Sequence, residues 1–122
     1  ALKHLKGGGI LWFAPDQESR RGDSVFVPFF DRPAWSLTST HQLARLSGAA
    51  VCPFFHERLA DGSYRLEVQA PLADFPSKDA TADTARVMAA LEAMIRRAPS
   101  QYLWLHQRFK TQPVGERGDA YR

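Results

Sequence analysis

Residues 10–30, "ILWFAPDQESRRGDSVFVPFF", run from an apolar block through a polar, basic loop into a second apolar block. The first block, "ILWFA", is continuously apolar and bounded by glycine and proline, which predicts a β-strand buried on both faces. Residues 14–24 are then a polar loop. "SVFVPFF" predicts a short extended segment, which Pro28 and Pro33 confine to a sheet edge or a turn.

The remaining chain predicts helices and strands that continue this pattern. "ALKHLK" resembles a last helical turn that ends at Gly7, and apolar spacing over residues 34–47 predicts a helix that Gly48 terminates. "AAVCPFF" predicts a second buried strand. "FFHERLADGSYRLEVQA" predicts a hairpin that turns at Asp61-Gly62. A helix is expected over about residues 81–97, with Asp79 or Thr81 as its N-cap, followed by a short aromatic helix from Pro99.

Two apolar strands separated by a helix predict an α/β fold with a mostly parallel βαβ core, an added hairpin and C-terminal helices. At 122 residues the chain is predicted to be a single domain, and its first residues indicate that it is a part of a longer one. Residues 111–122 are expected to form a loose tail.

The composition narrows the possible functions only slightly. A net charge of +3 suits an anionic partner but does not select one, and the basic residues are too sparse to predict nucleic-acid binding. No apolar stretch approaches the roughly 20 residues that cross a bilayer. Cys52, in an apolar run, is expected to be a buried, unreactive thiol. No metal-ligand spacing or nucleotide-binding loop is present, so no cofactor is predicted.

The polar loop supplies the first candidate site. In open parallel sheets, ligands bind beyond the carboxyl ends of the strands, where Asp16 and Gln17 would lie, with Arg20 and Arg21 within reach. A carboxylate, an amide and two guanidinium groups suit a phosphorylated, hydroxyl-bearing substrate. The alternative is an ordinary polar loop in which Asp16 caps a turn.

Two further motifs could carry chemistry. "HERLAD" places His56 five positions before Asp61, but Asp61 belongs to the hairpin turn and nothing in the spacing brings the two side chains together. "HQRFK", residues 106–110, puts Arg108 and Lys110 beside aromatic residues, which suits a membrane interface or a phosphate-bearing lipid. It equally suits a C-terminal helix that packs its aromatic side chains on the core.

The segments "APDQ", "SVFVPFF" with "RPA", "VCPFF", "YRLEV", "FPSKD" and "PSQYLWLHQRFKTQP", in that order, resemble the C-terminal part of the bacterial lipid A biosynthesis acyltransferases. These lauroyl and myristoyl transferases belong to the lysophospholipid-acyltransferase-like superfamily. The resemblance covers nearly the whole chain. Three positions depart from the usual family pattern: Asp31 stands in place of glycine, and Gln107 and Gln112 in place of arginine.

The resemblance implies an enzyme at the cytoplasmic face of the bacterial inner membrane, peripheral or held there by an N-terminal segment outside this chain. It would transfer an acyl chain from acyl carrier protein to a hydroxyl of a phosphorylated, Kdo-bearing lipid A precursor. The family's catalytic histidine, with an acidic residue five positions later, is expected upstream of residue 1, so this piece alone is expected to be inactive. Acceptor binding is carried over to Asp16 and Gln17, and Arg108 and Lys110 remain as candidate phosphate contacts.

Two other functions stay open from the sequence. The first is a related acyltransferase that acts on another glycolipid, such as a phosphatidylinositol mannoside. The second is a non-catalytic module that binds anionic lipid through Arg20, Arg21, Arg108 and Lys110.

Overall fold

A computed structural model of the protein describes residues 1–18 and 22–114, which form helices and two antiparallel hairpins. In chain order the elements are α1 (Leu2–Lys6), β1 (Ser24–Phe29), β2 (Arg32–Leu37), α2 (Ser39–Ser47), β3 (Phe54–Arg58), β4 (Tyr64–Val68), α3 (Ala80–Arg97) and a short 3₁₀ helix (Pro99–Gln101). β1 pairs with β2 and β3 pairs with β4, both antiparallel. The mixed composition of helix and strand fits the predicted α/β class.

The core lies between the first hairpin and α3. Alternate residues of β1 point inward, so Val27 and Phe29 are buried while Pro28 is exposed. Ala34 of β2 and Met88 and Ile95 of α3 complete the buried cluster. Tyr102 and Phe109, from the end of the chain, pack against the same cluster. The C-terminal residues are therefore part of the hydrophobic packing that holds the first hairpin.

The turn between β1 and β2 is unusual because both of its central residues have left-handed backbone angles. Phe30 has φ 50° and Asp31 has φ 59°, values normally adopted by glycine or asparagine in a two-residue hairpin. The Phe30 N–H donates to Glu92 Oε2 at 2.7 Å, and this bond, with the neighbouring Arg96, lowers the pKa of Glu92. Contact with α3 therefore holds the turn in a conformation that its own sequence disfavours.

The helix ends follow the sequence closely. Asp79 is the N-cap of α3, where its carboxylate accepts hydrogen bonds from the N–H groups of Thr81 and Ala82 at 2.8 and 3.0 Å. Gly48 ends α2 with φ 75°. The hairpin at Asp61-Gly62 and α3 itself are confirmed. The helix predicted over residues 34–47 is wrong over its first residues, because Ala34–Leu37 pair with β1 instead.

The parallel βαβ core is not confirmed. Residues 10–14 belong to no strand, and Ile10 and Trp12 are 91% and 68% exposed. The second predicted strand begins only at Phe54, and Cys52 is exposed, so the expectation of a buried thiol is wrong. A strand buried on both faces needs covering layers above and below it. The described residues do not provide such layers for residues 10–14.

Candidate functional site

Two segments that are far apart in the sequence meet in the structure: residues 15–18, here called the PDQE loop, and residues 102–112, the C-terminal segment. The Tyr102 hydroxyl donates to Asp16 Oδ2 at 3.0 Å. The Glu18 backbone N–H donates to His106 Nε2 at 3.4 Å, which makes Nε2 the unprotonated ring nitrogen in this arrangement. The two strongest candidate motifs of the sequence therefore form one site.

Glu18 is the most enclosed acidic residue of this site, with a side chain only 5% exposed. Its Oε1 accepts a hydrogen bond from the Thr111 hydroxyl at 2.5 Å and lies 3.9 Å from the Lys110 ammonium nitrogen. Its Oε2 is buried and has no hydrogen-bond partner among the residues that the structure describes. Burial of a carboxylate is unfavourable unless donors and positive charge compensate. Thr111 and Lys110 supply that compensation at one of its two oxygens.

Arg108 ties the C-terminal segment to the first hairpin. The residue is 2% exposed, and its guanidinium donates to the Trp35 carbonyl at 2.7 Å and to Ser36 Oγ at 2.5 Å. The same group lies over the Phe29 ring, 5.6 Å from its centroid. An arginine in this position fixes the C-terminal segment on β2. Lys110, two residues later, is 46% exposed and faces solvent.

A cluster of aromatic rings packs beneath the polar residues of the site. Phe29 lies 6.4 Å from Tyr102 and 6.1 Å from Phe109, measured between ring centroids. Tyr102 in turn makes an edge-to-face contact with Trp104 at 4.9 Å. The Arg32 guanidinium lies over the Phe109 ring, 5.4 Å from its centroid. The polar contacts of the PDQE loop are thus built on a packed aromatic cluster that is continuous with the core.

Of the residues predicted to bind substrate, Asp16 is half-buried and Gln17 is exposed, next to each other in the PDQE loop. Arg108 and Lys110 lie in the C-terminal segment, one buried and one solvent-facing. Arg20 and Arg21 lie outside the described residues. Sequence reasoning missed Glu18 and Thr111. Each of them directly follows a motif that the sequence had singled out, which was the only indication of a role. Sequence spacing cannot predict a contact between residues that are 93 positions apart.

A second polar pair, His41 with Asp83, was also missed. His41 Nδ1 lies 2.8 Å from Asp83 Oδ2, and the Ser77 N–H donates to the same oxygen at 2.7 Å. Burial by itself raises the pKa of Asp83, but the bonds from His41 and Ser77 outweigh it and leave this pKa below its usual value. The pair joins α2 to α3. Because both side chains are at most 5% exposed, neither is accessible to a substrate as a proton-transfer group.

The "HERLAD" motif forms no comparable pair. His56 lies on the exposed side of β3 and stacks near Phe54, with 6.0 Å between the ring centroids. Asp61 accepts hydrogen bonds from the N–H and hydroxyl of Ser63 within the turn. Over residues 1–18 and 22–114, no group of three or more His, Cys, Asp or Glu side chains is placed to share a metal ion. In the same residues, no helix has the length and apolar content to cross a bilayer.

Comparison with known proteins connects this arrangement to one family. The family model for the bacterial lipid A biosynthesis acyltransferases matches residues 1–111. The chain is 43% identical over 116 residues to a lipid A biosynthesis lauroyltransferase of Escherichia coli (strain K12), covering 93% of the chain and 38% of that protein. It is 46% identical over 114 residues to a lipid A biosynthesis palmitoleoyltransferase of the same organism, covering 92% of the chain and 37% of that protein.

A lipid A biosynthesis acyltransferase of Haemophilus influenzae is 37% identical over 115 residues, covering 92% of the chain and 37% of that protein. The chain therefore spans less than two-fifths of the length of the curated relatives that it matches. The match reaches from α1 through the PDQE loop to Thr111, so it includes the PDQE loop and all of the C-terminal segment except its last residue. The chain belongs to the bacterial lipid A biosynthesis acyltransferase family.

Proposed function

We propose that this chain is the acceptor-binding portion of an acyltransferase of lipid A biosynthesis. In the whole protein, an acyl group would move from the thioester of acyl carrier protein to a hydroxyl of a phosphorylated, Kdo-bearing lipid A precursor. The observation that carries the proposal is the family match over residues 1–111, within which the PDQE loop meets the C-terminal segment. The names of the relatives favour lipid A over a phosphatidylinositol mannoside or a purely lipid-binding role.

The roles of the residues follow from where they lie. Asp16 and Gln17 are proposed to contact the hydroxyl-bearing head of the acceptor. The carboxylate can accept hydrogen bonds from sugar hydroxyls, and the amide can both accept from them and donate to them. Lys110 offers an exposed ammonium for a phosphate, and Arg20 and Arg21 are assigned to the same task. The assignment of Arg108 to substrate stays a prediction. Its burial supports an indirect contribution, in which it holds the segment that carries Lys110.

The chemistry is proposed to use a base outside this chain. A histidine, oriented by an acidic residue five positions later, would remove the proton of the acceptor hydroxyl as that oxygen attacks the thioester carbonyl. The carbon–sulfur bond then breaks, and the carrier thiolate leaves and takes up the proton. The new ester remains on the acceptor. The residues of this chain bind and orient the acceptor, so the isolated chain is expected to be inactive.

The whole protein is proposed to work at the cytoplasmic face of the inner membrane, where a lipid acceptor is held in the bilayer. Leu103, Trp104 and Leu105 are exposed in the same segment as Lys110, which supports contact with a membrane surface. The apolar side chains of residues 10–13 are exposed, which supports a proposal about the fold of the whole protein. We propose that residues 10–14 and 49–53 become parallel strands when further parts of the whole protein pair with them and cover them.

The test is an acceptor assay with the full-length protein in membranes. Acyl carrier protein with a labelled acyl chain is incubated with a phosphorylated Kdo-bearing lipid A precursor or with a phosphatidylinositol mannoside, and the products are analysed by mass spectrometry. The proposal expects one added acyl chain on the lipid A precursor alone. Acylation of the mannoside instead would move the protein to the related glycolipid class. Binding of either lipid without acylation would favour a non-catalytic module.

A further inference from the structure

The PDQE loop is held at two points by the same partner. Asp16 is bound by Tyr102, and Glu18 is bound through its backbone by His106 and through its side chain by Thr111. These contacts join residues that are 86 to 93 positions apart in the sequence. The loop belongs to no helix or strand, so no backbone ladder of its own fixes its conformation. Its position therefore depends on the C-terminal segment.

Gln17 lies between these two attachment points and is exposed. Fixing the residues on both sides leaves the Gln17 side chain directed to solvent, while Glu18 is enclosed. A loop whose only function was to connect two elements would have no reason to enclose a carboxylate, because that carboxylate would be better solvated outside. The burial of Glu18 thus indicates that the conformation of the loop matters.

We propose that Glu18 is a positioning residue for acceptor binding, and that Thr111 and the rest of the C-terminal segment act as a clamp on the PDQE loop. This inference rests on the proposed function of Asp16 and Gln17. The clamp sets the direction in which Gln17 and the Asp16 carboxylate meet the acceptor. Glu18 itself does not touch the reacting atoms. The "HQRFK" stretch, which suggested a membrane interface or a phosphate-bearing lipid, then also orients the loop through His106.

The decisive variant is Thr111→Val in the full-length enzyme, which removes the hydroxyl that binds Glu18 Oε1 while keeping nearly the same shape. Thr81→Val is the matched control, because Thr81 is an exposed threonine at the start of α3, outside this site. Thr111→Val is expected to raise the KM for the lipid acceptor about tenfold, equivalent to about 1.4 kcal/mol, and to leave the KM for the acyl donor within about twofold. Thr111→Ser, which restores the hydroxyl, is expected to return the acceptor KM to the wild-type value.

A double-mutant cycle separates a clamp from general destabilisation. Once Glu18→Ala has removed the carboxylate, Thr111→Val should have almost no further effect on the acceptor KM. The inference is overturned if the two substitutions raise the acceptor KM independently, so that their effects multiply in the double variant. It is also overturned if Thr111→Val leaves the acceptor KM unchanged, or raises the KM for acceptor and donor equally. If Glu18→Ala does not fold, the Thr111→Val and Thr111→Ser pair decides alone.

Hydrogen exchange tests the clamp without relying on activity. Thr111→Val is expected to speed amide exchange in a peptide that covers residues 15–18, whereas Thr81→Val is expected to leave it unchanged. Equal exchange in both variants overturns the clamp, even if the enzyme acylates lipid A precursor. Faster exchange in an enzyme that acylates no lipid A precursor would support the clamp and count against the proposed function.

Discussion

Replacing Asp83 with alanine should destabilise the protein far more than the loss of one carboxylate at the surface. Asp83 is fully buried and its Oδ2 accepts from His41 Nδ1 at 2.8 Å and from the Ser77 N–H at 2.7 Å. Because an ionised carboxylate can only accept, Nδ1 of His41 carries the proton. The alanine variant leaves both donors without this acceptor, in a site at the packed junction of α2 and α3.

The magnitude follows from these two bonds. A hydrogen bond to a charged group contributes about 1.5–3 kcal/mol, and two such bonds end at the buried Asp83 carboxylate. We therefore expect Asp83→Ala to lower the free energy of unfolding by about 3–5 kcal/mol. Asp61→Ala is the control, since the Asp61 carboxylate binds Ser63 within an exposed turn and its loss should shift the urea midpoint much less than the loss of Asp83.

The assay is urea unfolding of the full-length protein, followed by circular dichroism at neutral and acidic pH. The pKa of Asp83 is lowered in the folded state, so its stabilisation is complete above the ordinary carboxyl pKa of about 4. Stabilisation is lost as the pH falls below that value toward the lowered folded-state pKa. The variant should lack this part of the acid sensitivity. If Asp83→Ala and Asp61→Ala shift the urea midpoint equally, the reasoning about the buried pair is wrong.

Three further variants probe the turn, the cap and the buried arginine. Asp31→Gly should raise the free energy of unfolding by about 1 kcal/mol, because glycine adopts φ 59° without steric cost; a lower urea midpoint would contradict this. Asp79→Ala should lower it by about 1 kcal/mol through loss of the α3 cap, measured as a drop in Tm against Lys78→Ala. Arg108→Lys should lower it by about 2 kcal/mol, because an ammonium cannot reproduce the two guanidinium contacts; unchanged stability with a raised acceptor KM would instead place Arg108 on the substrate.

Local chemistry made part of the fold predictable. The Asp61-Gly62 turn, the Gly48 helix end and the Asp79 cap each depend on backbone geometry that a few neighbouring residues determine. β2 was misassigned because Leu37 lies four and seven positions before His41 and Ala44, a spacing that fits one face of a helix. Pairing with β1, a contact between distant residues, decided between the two.

The apolar run at residues 10–14 shows a different limit. Continuous hydrophobicity indicates burial on both faces, yet Ile10 and Trp12 are exposed in the described structure. A segment forms a strand only where a neighbouring strand pairs with it, and the sequence of the segment does not reveal whether that neighbour is present. The same applies to the site: the two motifs were found from sequence, but the hydrogen bond between Asp16 and Tyr102 depends on how the core brings the ends of the chain together.

The geometry of the candidate site therefore depends on the packing of the core. Phe29 is fully buried and lies under both Tyr102 and Phe109, and the Arg108 guanidinium covers its ring. A substitution that weakens the packing of Phe29 should also weaken the attachment of the C-terminal segment, because these contacts hold that segment on the hairpin. The PDQE loop is hydrogen-bonded to that same segment through Asp16 and Glu18, so the aromatic core also influences the position of the loop. The proposed acceptor binding should accordingly respond to core substitutions that touch no substrate.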